Sequence, residues 1–178
     1  METQWRPLHL DTETESLAEF LSGETWPFHG TPNPSMEKTT EWVASGRFGN
    51  DEDTQSFWGC IGEERVALLT VMDLADPTPV FDLRIATARR QQGIGKSALR
   101  FLAEWTFHDA DKHRIEGHTR ADNLAMRALF RAAGWVQEAH HRQAWGSADG
   151  SWQDAVTYTL LRDDFENGTR TPRPPMDD

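Results

Sequence analysis

Short apolar runs bounded by turn residues alternate with segments of helical periodicity, and this order predicts a mixed α/β domain. The strand-like runs cover residues 56–61, 65–72, 80–87, 113–120, 136–145 and 152–161. The helix-like segments cover residues 11–21, 36–45 and 98–107, and a further one starts at Asp122. We therefore expect a mixed central sheet of six to seven strands with about four helices, antiparallel in its N-terminal half.

Local signals mark where several of these elements begin and end. Ser35 can cap the second helix, and Gly134 stands where a helix C-terminus belongs. Residues 148–151 read as the turn between the last two strands. Residues 166–178 are polar and rich in proline, so we expect a single domain over residues 1–165 and a disordered tail over 166–178.

The most informative segment is the glycine turn Arg90–Ser97, which follows a predicted strand and opens a predicted helix. A strand that feeds such a turn directs backbone N–H groups and the positive end of the helix dipole to one place, which suits a phosphate. A Walker A loop would need glycine at position 90, where Arg90 stands, and the G-x-G-x-x-G pattern lacks its third glycine. These tests disfavour nucleotide and dinucleotide binding.

The pattern Arg/Gln-x-x-Gly-x-Gly/Ala in this turn resembles the pyrophosphate loop of the GNAT superfamily of acetyl-CoA-dependent N-acetyltransferases. Residues 122–135 are similar to that family's second segment, in which an asparagine precedes a leucine-rich helix and a glycine–aromatic pair. The ending of the chain, with Asp-Gly-x-Trp-x-Asp before a last strand, resembles the ribosomal-protein N-acetyltransferase (RimJ/RimL-like) branch. The resemblance covers about residues 9–164 and implies a sheet that splays between two parallel strands.

The resemblance also implies how acetyl-CoA would bind. The backbone of one splayed strand would pair with pantetheine, the glycine turn would hold the diphosphate, and Asn123 would hold the pantetheine arm. Asn123 could instead cap the start of a helix, and the two roles can coexist. Phe130 stands where many relatives carry a tyrosine that acts as an acid, and it can only pack. The expected acetyl-CoA residues are Leu83, Ile85, Thr87, Arg89, Arg90, Gln91, Gln92, Gly93, Ile94, Gly95, Lys96, Ser97, Asn123 and Phe130.

Acetyl transfer to an amine needs a base, because a free alkylamine is mostly protonated near pH 7. Glu116 and His118 share one face of a predicted strand, and Asp82 lies on the neighbouring strand. We rank Glu116 first as the base, then His118, then Asp82, while each of them could instead serve only in an ion pair or a buried hydrogen bond. Tyr158 is a weak substitute for the missing acid, although a thiol can also leave as the thiolate.

Trp26, Phe28 and His29 lie in the loop that walls the acceptor cleft in this family, so they are the expected acceptor contacts. The resemblance implies that the acceptor is a protein N-terminus or a small amine. The alternative to an acetyltransferase function is a catalytically idle acyl-CoA-binding or sensor domain. A thiol-release assay would separate the two. A homodimer is common among similar proteins.

Amino-acid composition further limits the possible functions of the protein. The net charge of −11 argues against broad nucleic-acid binding and is compatible with a cationic acceptor. No apolar run is long enough for a membrane span, and the seven histidines show no metal-binding spacing. The single cysteine, Cys60, is expected to be a buried apolar residue, and a cytoplasmic location is the default expectation.

Overall fold

The computed structural model describes residues 2–49, 51–147 and 149–174, and within them the chain forms seven strands and five α-helices. The strands are β1 (Gln4–Pro7), β2 (Gln55–Ile61), β3 (Glu64–Met72), β4 (Val80–Ile85), β5 (Arg114–Arg120), β6 (Val136–Gly146) and β7 (Trp152–Leu161). The helices are α1 (Leu10–Ser22), α2 (Met36–Ala44), α3 (Ile94–Glu104), α4 (Leu124–Ala132) and α5 (Arg162–Asn167). A short π-helical segment, Trp105–Asp109, continues α3.

The strands form one sheet in the order β1-β2-β3-β4-β5-β7-β6. All neighbours are antiparallel except β4 and β5, which are parallel and share the single register pair Val80–Glu116. The amide of Glu116 donates to the carbonyl of Pro79 at 3.0 Å, and beyond this point the two strands diverge toward their C-terminal ends. The predicted mixed sheet and its splayed parallel pair are therefore confirmed.

Helices cover both faces of the sheet. Helices α1 and α2 pack on the face that carries Trp58 and Leu68, and α3 and α4 pack on the face that carries Phe57 and Leu69. These neighbouring strand positions alternate between the two faces, so β2 and β3 are apolar on both sides. Cys60 is 7% exposed within the first of these clusters, as expected for a small apolar residue.

Several elements differ from the sequence-based expectation, and helix α3, for example, covers Ile94–Glu104 instead of residues 98–107. Strand β1 was not predicted, because a four-residue strand ending in proline carries too little periodicity. The strand predicted to reach Thr87 ends at Ile85, since the amides of Arg89 and Arg90 turn back to the carbonyls of Ala86 and Thr87.

Helix α5 extends to Asn167, two residues into the segment assigned to the tail. Its Asp164 is 4% exposed and accepts hydrogen bonds from the amide of Thr171 and the hydroxyl of Thr169, which hold the following residues against the helix. Disorder of the tail stays a prediction, and residues 175–178 lie outside the described residues, as does Ala148 of the predicted turn. Among the helices of the described chain, none has the length and apolar character needed to cross a membrane.

Candidate active site

Two adjoining cavities open where β4 and β5 diverge. The first, of about 410 Å³, lies beside residues 90–96 and is called the loop cavity. The second, of about 380 Å³, is walled in part by Trp42, Phe81 and Trp145 and is called the aromatic cavity. Six residues line both cavities: Phe28, His29, Leu83, Arg84, Asn123 and Met126. The cavities therefore form one continuous cleft.

The glycine turn forms the N-terminus of α3 at the edge of the loop cavity. Gly93 caps the helix with φ 84°, and Gln91 also has positive φ at 62°. A Cβ on Gly95 would lie 2.8 Å from Cδ2 of Leu129, so glycine allows the close approach of α4. In the described part of the chain, the amides of residues 91–96 have no hydrogen-bond acceptor. Unpaired amides at a helix N-terminus suit a bound phosphate group, so this turn fits a diphosphate. Ile94 is 2% exposed and anchors the turn to the core.

The free edge of β4 faces the cleft. The amide of Ala86 donates to the carbonyl of Val66 in β3, so residues of the opposite parity, Leu83 and Ile85, direct their backbone groups toward the gap. The amide of the next residue in this series, Thr87, donates to Glu24 at 2.9 Å. The edge can thus accept an extended ligand at Leu83 and at the amide of Ile85, whereas the carbonyl of Ile85 and the amide of Thr87 already have partners within the protein.

The two arginines of the turn are engaged with other protein groups. Arg89 pairs with Glu64, with Nε 3.0 Å from Oε1. Arg90 donates to the carbonyls of Ile85 at 3.1 Å and Thr25 at 2.6 Å, which ties the α1–α2 loop to the end of β4. Both arginines therefore shape the turn, and Arg90 also lines the loop cavity.

Lys96 lines the loop cavity and has no carboxylate partner among the described residues. The amide nitrogen of the Gln92 side chain donates to the carbonyl of Ala88 at 2.9 Å. The hydroxyl of Ser97 accepts from Nε1 of Trp5 at 3.0 Å, which leaves its own proton free to be donated. Lys96 is thus the side chain of the turn best placed to meet an anion.

Glu116 and His118 lie side by side, as their shared strand face predicted. Glu116 accepts from Arg114 at 2.5 Å, while Nδ1 of His118 is hydrogen-bonded to the hydroxyl of Thr157 at 3.0 Å. Nε2 of His118 lies 3.3 Å from the second oxygen of Glu116. His118 lines the aromatic cavity, and Glu116 stands behind it. The histidine therefore faces the cleft, and the carboxylate is placed to stabilise its protonated form.

Asp82 lines the aromatic cavity and belongs to a buried ionic cluster. It accepts from Nε2 of His29 at 2.8 Å and from Nε of Arg84 at 2.9 Å. Burial alone would raise the pKa of the Asp82 carboxyl, but the charge of Arg84 and the bond from His29 hold that pKa well below its usual range. Asp82 is therefore a fixed anion, and its role as a base is the weakest of the three.

Asn123 begins α4 and lines both cavities. Its side-chain oxygen accepts from the amide of Met126 at 3.2 Å, and its nitrogen donates to the hydroxyl of Thr119 at 3.0 Å. The two roles weighed for Asn123, a helix cap and a cleft residue, are compatible in one conformation. The cap is observed directly, and the position beside the cleft leaves it able to contact a ligand.

The aromatic residues near the expected acid have packing roles. Phe130 is 1% exposed and stacks on Tyr158 with ring centroids 4.8 Å apart. The Tyr158 hydroxyl donates to Gln137 and accepts from Arg131, and this tyrosine lines neither cavity. The described residues of the cleft therefore present no tyrosine that could act as an acid.

All three expected acceptor contacts line the cleft. Trp26 is 1% exposed and donates from Nε1 to the carbonyl of Leu21 at 2.8 Å, so it anchors the loop, and it lines the loop cavity only. Phe28 and His29 line both cavities, and the Phe28 ring lies 5.5 Å from the Arg120 guanidinium.

Sequence reasoning missed Arg47, Arg84 and Trp145, which line the aromatic cavity. They come from the α2–β2 connection, β4 and β6, and no motif links them along the chain.

Comparison with known proteins agrees with this architecture. The sequence profile of the family described as "Acetyltransferase (GNAT) domain" matches residues 5–136. The chain is 27% identical over 101 residues to "Probable N-acetyltransferase YjcK" of Bacillus subtilis (strain 168), a match that covers 57% of this chain and 55% of that protein. The chain thus spans about half the length of this relative.

Solved structures of low sequence identity share the fold. A chimera of the spermidine N-acetyltransferase SpeG from Vibrio cholerae and hSSAT superposes with a TM-score of 0.80 at 17% identity, over 94% of this chain and 99% of that one. A structure described as "Probable acetyltransferase" superposes with a TM-score of 0.76 at 19% identity, over 91% and 94% of the two chains. With a family profile that covers most of its length and a sheet that splays beside a glycine turn, this chain belongs to the GNAT acetyltransferase domain family.

Proposed function

We propose that this protein transfers an acetyl group from acetyl-CoA directly to a primary amine, with both substrates bound in the cleft at once. The observation that carries the proposal is the continuity of the two cavities between β4 and β5. One end holds the unpaired amides of residues 91–96, which suit a diphosphate, and the other holds a histidine and a set of aromatic walls.

His118 serves as the base in this proposal. Acetyl-CoA, when bound, supplies a thioester at which the amine forms a C–N bond as the C–S bond breaks and the CoA thiol is released. The base role requires the tautomer in which His118 donates Nδ1–H to Thr157, 3.0 Å away, and Nε2 carries the lone pair that takes the proton from the amine. The adjacent Glu116 stabilises the imidazolium that results. This assignment places His118 ahead of Glu116, because the carboxylate is already paired with Arg114.

The backbone supplies the remaining polar support. The amide of Ile85 or of a neighbour on the free edge of β4 is placed to donate to the oxygen that gains negative charge. Among the described residues of the cleft, the donors available to the leaving sulfur do not include a tyrosine. We therefore expect the sulfur to leave as the thiolate, which an unperturbed thiol pKa of about 8.5 permits, and to take up the second proton of the nitrogen afterwards, which gives the free CoA thiol.

The experiment has a binding arm and a turnover arm. Calorimetry with coenzyme A tests the loop cavity, and thiol release over a panel of primary amines and peptide N-termini tests transfer. We expect CoA binding in both the wild type and His118→Gln, and a turnover near pH 7 that is about 10²–10³-fold lower in His118→Gln than in the wild type. Indifference to CoA at millimolar concentration would refute the proposal.

An idle acyl-CoA-binding module is the second candidate, and the absence of a tyrosine in the described cleft favours it. It predicts CoA binding with no turnover on any amine, and no further loss in His118→Gln or Glu116→Gln. The two functions are thus separated by the turnover arm, with CoA affinity as the shared control.

Two classes of acceptor agree with the similarities of this chain. The resemblance to the RimJ/RimL-like branch favours a protein N-terminus, whereas the SpeG neighbours are described as spermidine N-acetyltransferases and favour a small amine. One SpeG structure is described as dodecameric. For the present chain we propose self-association as a homodimer, which light scattering would test.

We expect the reaction to take place in the cytoplasm, which fractionation of the host cells would test.

A further inference from the structure

The aromatic cavity has a positive wall. Among its described lining residues are two guanidinium groups, Arg47 and Arg84, and one carboxylate, Asp82. Both oxygens of that carboxylate are engaged, one by His29 and the other by Arg84. The cavity therefore offers an incoming ligand more positive than negative charge, in contrast to the acidic chain as a whole.

Arg84 is the buried member of this wall. Its side chain is 2% exposed, its Nε donates to Asp82, and its Nη1 is buried with no acceptor among the described residues. The guanidinium also lies 5.3 Å from the centre of the Trp26 ring. A buried donor without an acceptor is costly, which indicates that a ligand or water completes the coordination of this group.

Arg47 is the accessible member. It is exposed at the mouth of the cavity, and its guanidinium lies 4.8 Å from the Trp42 ring centre. It has no carboxylate partner among the described residues. Desolvation and the charge of Arg84 lower the pKa of Arg47, while Asp82 opposes them, so the guanidinium stays cationic but is poorly compensated. The stacked ring holds this cation at the entrance.

We propose that the acceptor is a small amino carboxylate: a molecule that carries its primary amine and a carboxylate on the same apolar or aromatic skeleton. The carboxylate binds between Arg47 and Arg84, the skeleton packs on Phe28, Trp42 and Trp145, and the amine faces His118. This inference rests on the proposed acetyl transfer and names the substrate of that same cleft.

A polyamine fits this cavity poorly. Each additional ammonium group would meet a guanidinium, and the only carboxylate among the described lining residues is already neutralised. Juxtaposed like charges in a partly desolvated site are strongly unfavourable. The charge of the cavity wall thus disfavours a polyamine as the acceptor of this protein.

The experiment uses matched pairs of acceptors. Apolar amino acids of both configurations, phenylalanine among them, are compared with their decarboxylated amines, phenethylamine in this case, and with spermidine. We expect at least one amino acid to exceed its decarboxylated amine about tenfold or more in kcat/KM, since a site with unpaired charged donors rejects an analogue that lacks the matching group. Spermidine should be slower than that amino acid.

The variant Arg47→Gln is expected to lower the ratio of kcat/KM for the amino acid to kcat/KM for its amine by about tenfold, which corresponds to about 1.4 kcal/mol. Arg100→Gln is the matched control, because Arg100 is 78% exposed on α3 and lines neither cavity.

Turnover of spermidine or of the decarboxylated amines ahead of every amino acid would overturn the inference. An unchanged ratio in Arg47→Gln would do the same. If no amine of any kind is acetylated although CoA binds, the proposed transfer itself has failed, and that result is distinct from a wrong acceptor class.

Discussion

Asparagine in place of Asp82 removes the charge at the centre of the cluster that joins β4 to the α1–α2 loop. In the wild type this carboxylate accepts from Arg84 and from His29, and the Arg84 side chain is 2% exposed. The carboxamide introduced by Asp82→Asn could accept at one oxygen only, so one of the two donors would lose its partner. The cation of Arg84 would then be buried without a compensating anion.

The expected loss of stability in Asp82→Asn follows from the burial of the Asp82–Arg84 ion pair. Removing one partner of a fully buried ion pair costs about 3–5 kcal/mol, and Asp82 itself is 21% exposed, so we expect a loss of about 2–3 kcal/mol in the free energy of unfolding. For a chain of this size, that loss corresponds to a decrease in Tm of about 4–12 °C. A matched carboxylate-to-amide change at an exposed pair, Glu104→Gln, should cost about 1 kcal/mol or less.

The pKa of Asp82 fixes how the stability difference between the wild type and Asp82→Asn changes with pH. The folded-state pKa of Asp82 lies below its unfolded value of about 3.9, so its stabilising contribution is complete above that pH. It is lost as the pH falls through the folded-state pKa, when the carboxyl becomes protonated in the native protein. The difference in stability between wild type and Asp82→Asn should therefore be full at pH 7 and shrink below about pH 4.

Urea unfolding followed by tryptophan fluorescence, repeated from pH 7 to pH 3, measures this difference. The reasoning fails if Asp82→Asn unfolds within about 0.5 kcal/mol of the wild type at pH 7. It also fails if the difference does not change on acidification, since the loss would then come from packing and not from charge.

Three further changes test other parts of the structure. In steady-state assays, His118→Gln should lower kcat/KM about 10²–10³-fold near pH 7 and recover in part above about pH 9, because the amine loses its proton there without a base. An equal loss of kcat/KM at all pH values would contradict the role of His118 as the base. Gly93→Ala should lower the free energy of unfolding in urea by about 1 kcal/mol or more and weaken CoA binding measured by calorimetry, because φ is 84° at this position. Unchanged stability and affinity would show that the turn tolerates a side chain. Ser35→Ala should cost about 1 kcal/mol in thermal unfolding, because the serine hydroxyl accepts from the amide of Lys38 at the start of α2, and an unaltered Tm would exclude that cap as a stabilising contact.

Much of the fold was predictable because the signals were local. The apolar run of β4, the glycines of the turn and the Asn123 cap each act within a few residues, and each lies where the sequence indicated. Strand β1 was missed because its stability comes from pairing with β2, which lies about fifty residues further along the chain. Its two half-buried residues gave no periodicity to detect.

The candidate base shows the limit of strand alternation. Alternation placed Glu116 and His118 on the same face, but it could not rank them. Our proposal prefers His118 because Arg114 pairs with Glu116, and because Thr157 on β7 is hydrogen-bonded to one nitrogen of His118. Such partners come from sheet register, and the sequence alone does not give the register between β5 and β7.

The sequence by itself determined the class of the protein: a mixed sheet, a glycine turn at a helix N-terminus and a strand that carries Glu116 and His118 on one face. These features depend on backbone conformation and on spacing within single elements. Only the tertiary structure decided that Arg47 and Arg84, which lie in separate elements, meet in one cavity, and that the charge there is opposite in sign to that of the whole chain. The physical reason is that net charge sums over the entire surface, whereas a ligand responds to the few charges that folding brings within several ångströms of it.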